Sequence, residues 1–162
     1  MSWSTGFKAA GLTAVATLAL SSGAAASCWH ESGARHGVDP LLLYSIAKVE
    51  SSLDPRVVNE NRDGSQDIGL MQINSMHFPA LAKRGISRQQ LLDEPCLSIE
   101  VGAGILADFI KRFGYTWRAV GAYNAGGAQG REAARKRYVD RVWRHYRNLM
   151  RSRFRTSSIE TG

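Results

Sequence analysis

Residues 39–55 read DPLLLYSIAKVESSLDP, and their spacing predicts a helix with an acid where an apolar residue belongs. Asp39 suits the N-cap, and Pro40 suits the first helical position, where a missing N–H costs nothing. Leu43, Ile46 and Ala47 fall on one stripe at helical spacing. Glu50 is the next member of that stripe. At about 100° per residue it points within roughly 20° of Leu43. Asp54-Pro55 then ends the helix. Partial burial and the negative end of the helix dipole both disfavour a charged carboxylate there. A carboxyl that keeps its proton near neutral pH is what a general acid requires. Taken alone, Glu50 reads more readily as the wet edge of the stripe, reaching water, so the rest of the chain decides.

The chain has 162 residues, a length that predicts one domain. Residues 1–26 read as a secretory signal peptide: Lys8, an apolar run from Ala9 to Leu20, then small residues with Ala24 and Ala26 in an A-x-A pattern. The run is short for a bilayer span. Cleavage after Ala26 leaves 136 residues, enough for one compact core. A lipoprotein reading of Cys28 is less favoured, because Ala25-Ala26-Ser27 lacks a large aliphatic residue ahead of the cysteine. The two cysteines, Cys28 and Cys96, are expected to pair in an exported chain. The expected location is the periplasm, as a monomer with no membrane span after cleavage. The formal charge is +7, which suits nucleic acid, anionic lipid or an anionic wall polymer without choosing among them.

Beyond the signal, Cys28 to Arg35 reads as a short helix anchored by Trp29, with His36-Gly37 as its stop. After the Glu50 helix, Val58 to Ile68 loses all periodicity and reads as a long loop turning at Asp63-Gly64. Long loops in small domains usually have a task. This one leads into Gly69-Leu70-Met71-Gln72-Ile73-Asn74. Met76 to Arg84 reads as a short helix interrupted by Pro79, and Ser87 with Gln90 as a capping box. A longer helix opens at Leu97 or Ser98 with the stripe Ile99, Ala103, Leu106 and Ile110, and ends at Gly114. Gly102 and Gly104 inside it suggest close helix packing. Thr116 caps a helix to about Tyr123, residues 124–130 break the pattern, and Tyr138, Val142, His145, Tyr146 and Leu149 form the stripe of a last helix. No strand alternation is visible, so the expected fold is all-α. The domain is expected over residues 27–150, with a basic, disordered tail over 151–162.

The breaks at 69–74 and 123–130 carry Gln72, Asn74, Tyr123 and Asn124, neutral hydrogen-bonding groups suited to sugar hydroxyls and N-acetyl groups. No metal site or cofactor is expected: the four histidines are scattered, with no H-E-x-x-H pair. G-x-S-x-G and phosphate-loop motifs are absent. The arginine face of the last helix reads as solvated rather than as a nucleic-acid site.

Five motifs in order resemble the soluble lytic transglycosylases, exported lysozyme-like enzymes that cleave peptidoglycan. They are Pro40-Leu41-Leu42-Leu43 with Ile46-Ala47, Glu50-Ser51, Gly69-Leu70-Met71-Gln72-Ile73, Ala122-Tyr123-Asn124-Ala125-Gly126, and Tyr138-Val139. The resemblance covers about residues 28–150. The pattern Asn61-x-Asp63-Gly64-Ser65-x-Asp67-x-Gly69, with two cysteines and small size, looks like the subgroup that serves type III and type IV secretion, conjugation and type IV pili. The resemblance implies a goose-type lysozyme-like helical fold, with the long loop lining a glycan cleft and Glu50 as the single catalytic acid and base. It implies that Ser51 orients Glu50 or meets substrate. Gly69, Leu70, Met71, Gln72 and Asn74 would line the cleft, Tyr123 and Asn124 would contact the N-acetyl region, and Tyr138 would border Glu50. Met71 and Tyr138 as core residues and Asn74 as a helix cap stay open beside these roles. No second carboxylate has the same claim as Glu50, so the substrate must supply the other partner. The resemblance implies that Glu50 protonates the MurNAc–GlcNAc oxygen and then deprotonates the muramic 6-hydroxyl, leaving a 1,6-anhydro end. Two departures stand out: the break after Asn124 is Gly126-Gly127-Ala128-Gln129-Gly130 rather than proline-containing, and nothing reads as a separate wall-binding module.

Overall fold

The structure, a computed structural model, describes residues 22–160. Among the described residues seven α-helices carry the fold: α1 (Ser22–His36), α2 (Pro40–Ser51), α3 (Phe78–Ala82), α4 (Arg88–Asp93), α5 (Pro95–Phe113), α6 (Trp117–Ala125) and α7 (Glu132–Glu160). Helix α5 packs against α1 and α6, and α7 packs against α2 and α6. Leu43, Ile46, Ile99, Leu106 and Val142 are fully buried where these helices meet. Each such aliphatic side chain contributes about 1.5–3 kcal/mol of burial. The fold is mainly helical, as expected, and Cys28 is bonded to Cys96, tying α1 to the first turn of α5.

Helix α2 starts as the sequence requires. The Asp39 carboxylate accepts from the Leu41 N–H at 2.8 Å, with Pro40 in the first turn. It stops at Ser52 and Leu53, which take left-handed φ values of 56° and 71°. Such a conformation costs a non-glycine residue roughly 1–2 kcal/mol. The tie that holds it is Ser51, whose buried hydroxyl donates to the Leu70 carbonyl at 2.8 Å. The helix therefore ends one residue after Glu50, against the 69–74 turn.

The stretch expected to be strandless is a small antiparallel sheet. Strands β1 (Val58–Glu60), β2 (Gln66–Ile68) and β3 (Ile73–Asn74) lie in that order. Val58 pairs with Ile68, and Ile68 with Ile73. The Asp63-Gly64 turn closes the first hairpin, with the Gly64 N–H donating to the Asn61 carbonyl at 3.0 Å. Two- and three-residue strands are too short to show alternation, and β1 is exposed throughout.

Other boundaries shift for local reasons. Pro79 sits in the first turn of α3, after a 3-10 turn at Ser75–His77, and so does not interrupt it. Helix α5 opens at Pro95, earlier than its stripe suggests. The Ser87–Gln90 capping box forms on both sides. The Thr116 hydroxyl does not cap α6; it donates to the Phe113 carbonyl at 3.1 Å. A Cβ on Gly102 would lie 2.9 Å from the Met71 Cβ, so its close approach is to the 69–74 turn rather than to another helix. Helix α7 continues to Glu160, into the stretch expected to be a disordered tail. Most of the expected signal peptide lies outside the described residues, and its cleavage point after Ala26 falls within α1.

Candidate active site

Glu50 opens onto a cleft of about 840 Å³. Burial lifts its carboxyl from the ordinary 4.5 to about 7, and the negative charge of Asp67 pushes the same way. The Tyr138 hydroxyl, the Arg141 guanidinium and the Asn124 amide oppose the rise. Tyr138, on α7, is buried, and its hydroxyl has no hydrogen bond of good geometry among the described residues. It faces the carboxyl closely enough to favour the charged form. Burial and the neighbouring Glu50 in turn hold both the Tyr138 and the Tyr123 hydroxyls protonated, well above the ordinary tyrosine range. The Glu50 carboxyl thus keeps its proton up to near neutral pH, and Tyr138 and Asn124 favour its charged form once the proton leaves.

The 69–74 turn forms the floor. Gly69 has φ +73°, and a Cβ there would lie 2.6 Å from the Leu91 carbonyl oxygen. Gln72 also takes a left-handed φ, 51°. Its buried side chain donates to the carbonyls of Gly69 (2.9 Å) and Val57 (3.1 Å) and accepts from the Asn59 amide (2.8 Å). Those three bonds offset the strained backbone and fasten the turn to β1. Leu70 and Met71 are core residues, and the Met71 carbonyl accepts from the Tyr123 hydroxyl at 2.8 Å. The sheet adds a polar wall. Asp67 accepts from the amides of Asn61 (2.9 Å) and Asn74 (2.8 Å), and the Asn74 oxygen caps the 3-10 turn at Met76.

The opposite wall comes from α5, α6 and the break after Asn124. Ile105, Phe109 and Arg112 of α5 line it, with Ala122, Tyr123, Asn124, Gly126 and Gly127. Arg135 is buried and pins this break. Its guanidinium donates to the carbonyls of Gly126 (2.8 Å) and Ala128 (3.0 Å) and pairs with Glu132 (2.7 Å). The proline-free break is held by an arginine.

Comparison with known proteins follows this geometry. A family model described as the transglycosylase SLT domain matches residues 27–145. The chain belongs to the transglycosylase SLT domain family. Its relatives include invasion protein IagB of Salmonella typhimurium, 51% identical over 124 residues, covering 76% of this chain and 78% of IagB. Protein IpgF of Shigella flexneri is 40% identical over 121 residues, covering 75% of this chain and 80% of IpgF. A putative peptidoglycan-binding-like protein of Escherichia coli is 41% identical over 131 residues, covering 76% and 83%. Among solved structures, an inactive mutant of lytic transglycosylase Slt from Pseudomonas aeruginosa superposes with a TM-score of 0.59 at 22% identity, over 74% of this chain and 23% of that one. The overall fold is therefore that of lytic transglycosylases.

Within this SLT cleft, Glu50, Gln72, Asn74, Tyr123 and Asn124 line the space. Ser51, Gly69, Leu70, Met71 and Tyr138 stand behind it as buried supports. Asp67 is the residue that sequence reasoning passed over. It lines the cleft and acts on Glu50, whereas no second carboxylate was expected to share the site. The asparagines flanking it in the 61–74 pattern were its signal, since two amides at that spacing suit one carboxylate. Arg62, His77, Arg112 and Arg131 also line the cleft, and nothing in their sequence context marked them.

Proposed function

We propose that the chain is a peptidoglycan lytic transglycosylase that cleaves the MurNAc-β-1,4-GlcNAc bond. The observation that carries this reading is Glu50: an acid lifted to about 7 in an open cleft of an SLT-family chain. Its proton passes to the glycosidic oxygen as the C1–O bond breaks. The 2-acetamido group of the muramic residue stabilises C1 from the other face. The Glu50 carboxylate, stabilised by Tyr138 and Asn124, then takes the proton of the muramic 6-hydroxyl as that oxygen bonds to C1. The products are a 1,6-anhydromuramic end and a free GlcNAc 4-hydroxyl, and no water is consumed.

A hydrolytic reading has one observation in its favour. Asp67 gives the cleft a second carboxylate, held by two amides, as glycosidases that use a pair have. Mass spectrometry of digested walls separates the two: anhydro ends support transglycosylation, and reducing muramic ends would replace it with hydrolysis. Glu50→Gln should lower wall clearing by about 10²–10⁴-fold while the protein stays folded; full clearing by the variant would overturn the assignment of Glu50, and no clearing by the wild type would leave only a wall-binding role. On this reading the chain works in the periplasm and opens the wall for a secretion, conjugation or pilus assembly; one relative named an invasion protein and another named peptidoglycan-binding-like support it. Loss of that assembly's function on deletion of the gene would test this.

A further inference from the structure

A neutral amino sugar offers no charge to a guanidinium, yet Arg62, Arg112 and Arg131 all line the cleft. None of them is in an ion pair among the described residues. Apart from Glu50, the acids of the cleft are engaged elsewhere: Asp63 with Ser65, and Asp67 with Asn61 and Asn74. Arg112 is nevertheless anchored. Its guanidinium carbon lies 5.3 Å from the Phe113 ring centre and 5.9 Å from that of Phe109. Stacking of this kind holds the plane of the group and leaves its N–H edge free for an anion. Gly127 makes room for it: a Cβ there would lie 3.3 Å from Arg112 Nη2 and 3.0 Å from Phe113 Cζ. Arg131 follows the same glycine break, which Arg135 holds in place. Two unpaired cations therefore flank the wall formed by α5 and the 126–130 break.

In peptidoglycan the carboxylates are carried by the stem peptides. We propose that Arg112 and Arg131 recognise stem-peptide carboxylates, so that the cleft selects glycan strands still bearing their stems. This rests on the peptidoglycan reading above and adds to it a requirement that the glycan alone does not impose. A guanidinium–carboxylate pair is a charge-assisted bond, and at a partly open site salt weakens it.

The test compares strands with intact stems against the same strands stripped by an amidase, which hydrolyses the lactyl–alanine amide and leaves one newly freed lactyl carboxylate on the sugar in place of the carboxylates of the stem. The wild-type protein should favour stem-bearing strands by about tenfold or more in kcat/KM, the size of one such bond. Arg112→Gln with Arg131→Gln should bring that ratio near one, mainly through KM. The paired Lys substitutions should retain part of it, and high salt should shrink it in the wild type without any substitution. Equal rates on both strands in the wild type would overturn the proposal. So would a double variant that leaves the ratio unchanged or slows both substrates equally. Binding of the two strands to the Glu50→Gln protein separates this from the reaction itself. Preferential binding without cleavage by the wild type would sink the enzyme reading and keep the stem contact; cleavage without preference would do the reverse.

Discussion

Glu50 changes charge within the range where the protein is expected to work, and two measurable consequences follow. Activity that needs its proton should fall as pH rises through about 7, visible in kcat/KM against pH. Stability should fall over a lower window, between about 4.5 and 7. The folded carboxyl binds its proton more tightly than the unfolded one, so its stabilisation is full below about 4.5 and lost as pH rises through about 7. The Gln variant lacks that slope. It should match wild type near pH 4 and exceed it by about 2–3 kcal/mol near pH 8, read from urea unfolding at each pH. Glu50 was legible because its signal is local: seven residues of helical phase put an acid on the apolar stripe. Asp67 was not, because its place depends on a strand pairing that sets it between Asn61 and Asn74 in the lining of the cleft. Motif resemblance singled out Ser51 and Gln72 as site residues, and their polar atoms hold backbone: Ser51 the Leu70 carbonyl, Gln72 those of Gly69 and Val57.

Among the elements, α6 and α7 meet where Gly121 faces Arg135. A Cβ at 121 would lie 2.7 Å from the Arg135 Cβ. Alanine gains about 1 kcal/mol of helix propensity over glycine, but overpacking costs about 1–3 kcal/mol. The clash is with a carbon next to the α7 backbone, so it cannot be relieved by a side-chain rotation, and overpacking should win. Gly121→Ala should therefore destabilise the fold by about 1 kcal/mol. It should also loosen residues 126–130, which depend on the Arg135 guanidinium, as faster protease cleavage there. The helices were largely legible because caps and stripes act over a few neighbours: Asp39-Pro40, Ser87 with Gln90, and the stripe from Ile99. The three strands were not, because none exceeds three residues and their pairing is set by contacts distant in the chain.

Across the whole molecule, the Cys28–Cys96 bridge closes a loop of 68 residues. Cross-linking a loop of that length is worth about 4 kcal/mol in the chain-entropy model. Reduction should lower the melting temperature by several degrees or more, as seen by calorimetry with and without reductant; an unchanged transition would argue against the bridge. The pairing was legible because the chain holds two cysteines and an export-like start.

Asp39 shows how the far end of α2 governs the near one. One of its oxygens caps α2, the other accepts from the Tyr146 hydroxyl at 2.6 Å, and its own N–H donates to Tyr115. Helices α2 and α7 are thereby latched to each other about 16 Å, or eleven residues of helix, from the point where they bring Glu50 and Tyr138 together. The two helices act as the arms of a clamp whose screw is Asp39. Asp39→Ala should lower Tm and reduce kcat with KM nearly unchanged, although the substitution touches nothing in the cleft. Faults that slacken this clamp would be inherited as weak enzymes with intact binding surfaces.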